Sequence, residues 1–250
     1  MAKAFFIDTS RCTACRGCQV ACKEWHALAP VKTKQLGTHQ NPPDLNPFNY
    51  KLVRFNERCV DNNRDHVVWN FFPDQCRHCI EPPCKYVADN YLEGAVLHDE
   101  ATGAVIYTDL TKKLSKDVFQ EIRDSCPYDI PRRNEETGAI VKCDMCNDRV
   151  HNGLLPMCVA TCPTGTMSFG ERKEMLKLAH GRLNVVKQEF PKAQLVDEND
   201  INVIYLIVDE PKFYADFVVA DAHKGPVNMT RKAFFAKIAK PLMEVAKLKV

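Results

Sequence analysis

The sequence of 250 residues lacks several patterns that would place it in a common class of protein. Its longest apolar run, residues 203–208, is the length of one strand, whereas a membrane-spanning helix needs about 18 or more apolar residues. The formal net charge is only +2, so nothing favours nucleic acid as a partner. Neither a glycine-rich phosphate loop nor the nucleophile motif G-x-S-x-G is present. We therefore expect no transmembrane segment, no nucleic-acid partner and no catalytic site for a small molecule.

The first residues lack the features of a secretory signal peptide. Three consecutive large apolar residues, Phe5, Phe6 and Ile7, precede the charged Asp8, whereas a signal peptide has an apolar core of about 7–15 residues. If the chain leaves the cytoplasm, we expect it to travel folded together with another polypeptide.

Cysteine, by contrast, is abundant, with 13 residues. Twelve of them fall into spaced groups: Cys12-x2-Cys15-x2-Cys18-x3-Cys22, Cys76-x2-Cys79-x4-Cys84, Cys126-Pro127, and Cys143-x2-Cys146-x11-Cys158-x3-Cys162-Pro163. This spacing is typical of iron–sulfur ligands. A disulfide framework is an alternative more usual in small secreted domains. A four-thiolate zinc site is another, and Cys143-x2-Cys146 alone would suit it.

The spacing also predicts how the ligands pair. In two-cluster ferredoxins the fourth cysteine of a group binds the other cluster. Set 1 is then Cys12, Cys15, Cys18 and Cys162, and set 2 is Cys22, Cys143, Cys146 and Cys158. Four further ligands are missing, because the sequence has Ala88, Lys116, Phe119 and Ile122 where cysteines would complete the pattern. Under the same rule all four would serve one cluster, which leaves set 3: Cys76, Cys79, Cys84 and Cys126. The sequence therefore predicts three [4Fe-4S] clusters.

For other residues near the ligands, the sequence gives weaker indications of a role at the clusters. Cys59 has no partner at a useful spacing and is predicted to be a free thiol. His78 could be a ligand as in Rieske centres, but four thiolates already serve each cluster, so we expect no such role. Cations near a ligand should raise the reduction potential of an anionic cluster, and the candidates are Arg11, Arg16, Arg77, Lys85, Lys142 and Arg149.

The predicted fold class is α+β, with duplicated ferredoxin-like (4Fe-4S) halves, an irregular insertion and a helical C-terminal extension. Strands are expected over 4–7 and 66–72, and one-turn helices after the fourth cysteines. Two polar loops that contain a glycine predict hairpins over 99–106 and 134–141. The cluster domain spans residues 1–170, and its proline-rich stretch 27–65 predicts the irregular insertion.

Residues 171–250 form the predicted extension. Apolar periodicity predicts an amphipathic helix over 171–190, and residues 202–208 predict a strand. A second, basic helix is expected within 228–250, kinked near Pro241. We expect this helix, and with it the extension, to dock on a partner subunit or on its own domain. Contact with a membrane surface and a loosely ordered tail are the alternatives.

The motifs resemble those of a known family. The runs CPYDIPR at 126–132, KCDMCNDR at 142–149 and GLLPMCVATCPTGT at 153–166 are similar to the small, electron-transferring subunit of molybdenum- or tungsten-bis-pterin oxidoreductases. The three-cluster pattern is most similar to the iron–sulfur (beta) subunit of soluble periplasmic formate dehydrogenases. The resemblance covers residues 1 to about 170 with specific motifs, and the rest only loosely.

The resemblance implies a function that the composition alone does not. A large catalytic subunit with a Mo/W-bis-pterin centre would oxidise formate or reduce carbon dioxide. This chain would relay the electrons through three [4Fe-4S] clusters to an acceptor such as a cytochrome c, in the periplasm after joint export, or alternatively in the cytoplasm. A polysulfide, thiosulfate or sulfoxide reductase is the alternative complex. A structural zinc-binding scaffold is the alternative of another class.

Overall fold

The computed structural model describes residues 2–60 and 63–220, apart from the side chains of residues 63 and 64. The strands in this part are β1 Lys3–Asp8, β2 Leu52–Val60, β3 Asn63–Asp74, β4 Val96–Asp99, β5 Ala104–Tyr107, β6 Arg132–Arg133, β7 Ile140–Val141, β8 Met167–Glu171, β9 Gln194–Val196 and β10 Val203–Ile207. The helices are α1 Gly17–Trp25, α2 Pro83–Asp89, α3 Lys116–Asp124, α4 Asn147–His151, α5 Met157–Ala160 and α6 Arg172–Val186. The predicted α+β class is confirmed. None of the helices in these residues is long and apolar enough to cross a membrane.

A four-stranded sheet with the order β8-β1-β10-β9 lies at the centre of the described chain. β1 runs parallel to β10 and antiparallel to β8. Side chains alternate between the two faces of a strand. Phe5 and Ile7 therefore pack on the cysteine-bearing side, in one apolar cluster with Cys18 and Cys158. Phe6 points to the other face, where it packs in a second cluster with residues of α6.

The residues after 170 belong to this same sheet. β10 supplies a fully buried run, Val203–Ile207, and α6 covers the sheet face that contains Phe6. The predicted helix over 171–190 and strand over 202–208 are thus present as α6 and β10. The boundary predicted after residue 170 does not divide the structure, because the compact unit extends to Ala220. The basic helix predicted within 228–250 lies outside the described residues.

The predicted irregular insertion is only partly irregular. Residues 27–51 form no regular helix or strand, as their prolines suggest. From Leu52 onward, however, β2 pairs antiparallel with β3 in a long hairpin. The prediction was wrong for residues 52–60 because the prolines end at Pro47 and a run suited to a strand begins soon afterwards.

Both short hairpins appear where their turn residues predict them, as β4–β5 and β6–β7. Gly103 and Gly138 have φ values of +77° and +74°, a conformation that favours glycine. The predicted one-turn helices after the fourth cysteines are wrong. α1 begins at Gly17, before the third cysteine, and contains both Cys18 and Cys22.

The role of β10 in the core can be tested with one substitution. Leu206 is fully buried between β1 and α6. We expect Leu206→Ala to lower the free energy of unfolding by about 2–5 kcal/mol, because it leaves a cavity beneath α6. Leu178→Ala, on α6 itself and 40% exposed, is the control, with an expected change within about 0.5 kcal/mol. Anaerobic urea denaturation measures both, and equal midpoints would contradict this core.

Candidate metal centres

Three cysteine loops share the same unusual backbone conformation. Ala14, His78 and Met145 each follow the first cysteine of their loop by two residues, and they have φ values of 52°, 47° and 70°. Left-handed φ is uncommon for residues other than glycine. The turn directs the amide of His78 to Cys76 Sγ and that of Met145 to Cys143 Sγ, each at 3.4 Å. Successive amides in such turns form concavities for anions, found at many iron–sulfur sites.

Set 1 combines residues from the two ends of the motif region. The Cys12 thiol interacts electrostatically with those of Cys15 and Cys162. The Cys18 thiol, on α1, interacts with those of Cys12 and Cys162, and burial is the main cause that raises the pKa of Cys18 to about 12. Cys162 differs from the others. Burial alone would raise its pKa, but hydrogen bonds from Thr164 and from nearby backbone amides lower it.

Set 2 is the most enclosed of the three. Cys22, Cys143, Cys146 and Cys158 are each at most 8% exposed. The Cys22 thiol interacts with those of Cys158 and Cys146, and the Cys143 thiol interacts with those of Cys22 and Cys158. Burial raises the pKa of Cys143 well above its ordinary value and that of Cys146 to about 12. The side chains predicted for this set therefore come together.

Two helices join sets 1 and 2. α1 contains Cys18 and Cys22, four residues apart, and it packs against α5, which contains Cys158. Cys162 follows α5, again four residues after Cys158. Residues at this spacing lie on one helix face, one turn apart. Each pair therefore reaches into both sets, and the crossed pairing needs no long loop.

The four cysteines of set 3, Cys76, Cys79, Cys84 and Cys126, line one pocket. Cys84 lies on α2, and Cys126 follows α3. The Cys79 thiol interacts with the other three, and burial is the main cause that raises its pKa. The Cys126 thiol accepts hydrogen bonds from the backbone amides of Ile130 and Tyr128, but burial still raises its pKa to about 12.

Hydrophobic packing takes up the positions of the missing ligands. Ala88 and Ile122 are fully buried, and together with Phe119 they pack in one apolar cluster with Cys84. Lys116 points outward and forms an ion pair with Glu135. A core of side chains thus lies where the pattern would otherwise require three of its four extra ligands.

Burial separates the candidate tuning cations into two groups. Arg77 and Lys142 are buried, at 1% and 7% exposure. Lys85 pairs with Asp89, Arg11 pairs with Asp8, and Arg149 lies over the ring of Trp25. The Arg16 guanidinium bonds to the carbonyl of His39 at an exposed position.

Lys51 is a buried cation that sequence reasoning missed. Its side chain is 2% exposed, and its ammonium donates to Gln75 Oε1. It lies 25 or more residues from the ligands on either side in the sequence, so distance along the chain gives no signal. Its one sequence signal is its position directly before the apolar pair Leu52 and Val53.

One further cysteine and two histidines lie near the three sets or along the same strands. Cys59 is exposed on β2. The His78 ring is buried, and its Nδ1 accepts the amide of Val105 at 3.0 Å. His26 Nε2 lies 3.8 Å from Cys146 Sγ and 3.4 Å from Asp144 Oδ1, a contact not foreseen from the sequence.

The three sets fit iron–sulfur clusters. A cysteine binds a metal as its thiolate, and burial disfavours the thiolate at most of these cysteines. Bound iron would supply the positive charge that the thiolates need. Four thiolates would also suit zinc, but the left-handed loops with amides directed at sulfur favour an iron–sulfur cluster.

Comparisons with known proteins agree with this geometry. Residues 67–172 match the family described as 4Fe-4S dicluster domain. The chain is 58% identical over 217 residues to formate dehydrogenase 2 subunit beta (cytochrome c-553) of Nitratidesulfovibrio vulgaris, with 87% of this chain and 98% of the relative covered. It is 51% identical over 220 residues to formate dehydrogenase subunit beta of Megalodesulfovibrio gigas, with 88% and 100% covered.

A more distant relative agrees as well. The formate dehydrogenase-O iron-sulfur subunit of Escherichia coli is 35% identical over 217 residues, with 84% of this chain and 69% of the relative covered. These likenesses extend over most of both chains. The chain belongs to the family of the iron–sulfur, or beta, subunits of formate dehydrogenases.

Proposed function

We propose that this chain relays electrons within a formate dehydrogenase, from a large Mo/W-bis-pterin catalytic subunit to an external acceptor such as a cytochrome c. Three [4Fe-4S] clusters, bound one each by sets 1, 2 and 3, would supply the one-electron carriers. The observation that carries the proposal is that, in each of the three predicted sets, cysteines far apart in the sequence lie close enough for their thiols to interact electrostatically. The relative from N. vulgaris is named for cytochrome c-553, which supports the acceptor.

Contacts between the sets support a linear order with set 2 in the middle. On one side, the thiols of Cys18 in set 1 and Cys158 in set 2 interact electrostatically. On the other side, the Cys143 thiol of set 2 interacts with Cys76 of set 3. The packing of α1 against α5 supports the first junction, and the place of Cys143 in the loop after β7 supports the second.

The protein's own contribution is to fix distances and to exclude water. Set 2 is shielded on all four cysteines, whereas Cys15 of set 1 is exposed and Cys79 of set 3 is partly exposed. An inner cluster that is closed to solvent and two outer clusters near the surface suit a chain in which electrons enter at one end and leave at the other. Amides directed at sulfur would raise the reduction potentials.

The complex is proposed to act in the periplasm, exported as a folded pair with its catalytic subunit. Support comes from the resemblance in the cysteine motifs and from the cytochrome for which the relative from N. vulgaris is named.

Loss of one ligand tests the assignment of set 3. In Cys84→Ala, purified anaerobically with its catalytic subunit, we expect about four fewer irons per chain, since each [4Fe-4S] cluster takes four thiolates. Formate-dependent reduction of the cytochrome should fall at least about tenfold, because an end of the relay is missing. The matched control is Cys59→Ser, at an exposed thiol, which should keep both properties. Unchanged iron in Cys84→Ala would rule out this ligand set.

A second pair of variants tests the order of the clusters. Cys84→Ala and Cys143→Ala should each lose one cluster, but only Cys143→Ala removes the inner one. Electron paramagnetic resonance of the reduced proteins reports magnetic coupling between neighbouring clusters. We expect coupling to persist in Cys84→Ala, where sets 1 and 2 remain adjacent, and to disappear in Cys143→Ala. Strong coupling in both variants would contradict the linear order.

A further inference from the structure

Lys51 carries a charge in the interior with no carboxylate beside it. Its side chain is fully enclosed, and within the described residues its ammonium has one hydrogen-bond acceptor, the neutral amide oxygen of Gln75. A buried charge is costly unless it is paired. Some other negative group must therefore compensate this ammonium in the folded protein.

The groups around Lys51 are the thiols of two different sets. Its charge interacts most strongly with Cys158 of set 2, then with Cys18 of set 1, and after Tyr205 with Cys143 of set 2. The packing agrees, because Val53, two residues along the chain on β2, lies in one apolar cluster with Cys18 and Cys158. The ammonium thus lies at the junction between sets 1 and 2.

Lys142 occupies the corresponding place at the other junction. Its ammonium donates to the carbonyls of Val105 and Cys143, and it lies 4.8 Å from the centre of the Tyr107 ring. The thiols that act on it are Cys76 and Cys84 of set 3 and Cys143 of set 2. No carboxylate among residues 2–60 and 65–220 forms an ion pair with either lysine.

Three arginines of the same region, which are buried or half-buried, have carboxylate partners instead. Arg77 pairs with Asp74, Arg54 pairs with Asp74 and Asp44, and Arg132 pairs with Asp44 and Asp129. Each of these arginines therefore has a carboxylate partner. Lys51 and Lys142 differ from them, because neither lysine has a carboxylate partner among the described residues.

We propose that Lys51 and Lys142 are the counter-cations of the relay, one at each junction, and that each raises the reduction potentials of the two clusters that it separates. The inference deepens the proposed function and rests on it. One electron that enters either neighbouring cluster adds negative charge, which the lysine stabilises. The lysine keeps its proton, and no bond forms or breaks. A cation at a junction also lessens the repulsion when both neighbours are reduced.

The test is a redox titration of the purified complex, followed by electron paramagnetic resonance. In Lys51→Met we expect the reduction equilibria of the clusters in sets 1 and 2 to shift at least about tenfold toward the oxidised form. For a one-electron couple this shift is about 59 mV. The cluster in set 3 should change much less. Lys142→Met should give the complementary pattern, with sets 2 and 3 shifted and set 1 nearly unchanged.

Controls separate this role from a structural one. Lys177→Met removes a charge at an exposed position on α6 and should leave all potentials unchanged. Lys51→Gln keeps an amide that can bond to Gln75, and it serves as the second neutral variant if Lys51→Met folds poorly. Iron and sulfide analysis of each protein confirms that the clusters are present before the titration.

Each outcome has one meaning. Fully loaded lysine variants with unchanged potentials would overturn the inference and leave the relay intact. Loss of clusters from both Lys51 variants would also overturn it, because the lysine would then serve assembly. Absence of iron–sulfur clusters from the unsubstituted complex would instead defeat the proposed function itself.

Discussion

The contact between α1 and α5 is the constraint on which the rest of the structure depends. Cys18 and Cys22 lie one turn apart on α1, and Cys158 on α5 is followed four residues later by Cys162. These four cysteines are divided between predicted sets 1 and 2, and the two helices pack against one another. β1 leads into the first helix and β8 leaves the second, so their pairing at the centre of the sheet holds the helices together. The parallel partner β10 completes the same sheet. Metal binding and folding are thus expected to stabilise one another.

Much of this arrangement could be predicted from spacing alone. Intervals of two and three residues identify the ligand loops, and the crossed pairing brings residues 12–22 close to residues 143–162 as the structure does. The sequence has Ala88 and Ile122 where a fourth cluster would need cysteines, and in the structure both side chains are part of an apolar core. The hairpins predicted from Gly103 and Gly138 are present as well, because a turn signal is local and needs no tertiary context.

Other features depend on tertiary contacts that no local pattern encodes. The left-handed Ala14, His78 and Met145 are not glycines, so the sequence offers no hint of their conformation. Strand β10 is recognisable by itself, but its pairing with β1, about 200 residues earlier, is not. Lys51 lies far from every cysteine along the chain and becomes a neighbour of Cys18 and Cys158 only when β2 and β3 pair. The charged groups near the cysteines could therefore be identified only from the fold, whereas the ligand cysteines could be identified from the sequence.

The most direct test of the central claim, that twelve cysteines hold three [4Fe-4S] clusters, is the iron, zinc and acid-labile sulfide content per chain of this subunit. The protein must be purified without oxygen, and the clusters of any catalytic subunit must be counted separately. The account predicts about twelve irons and about twelve sulfides with no zinc, since each cluster takes four thiolates. About sixteen irons would contradict the apolar replacement of the fourth site. Zinc in place of iron would contradict electron transfer altogether.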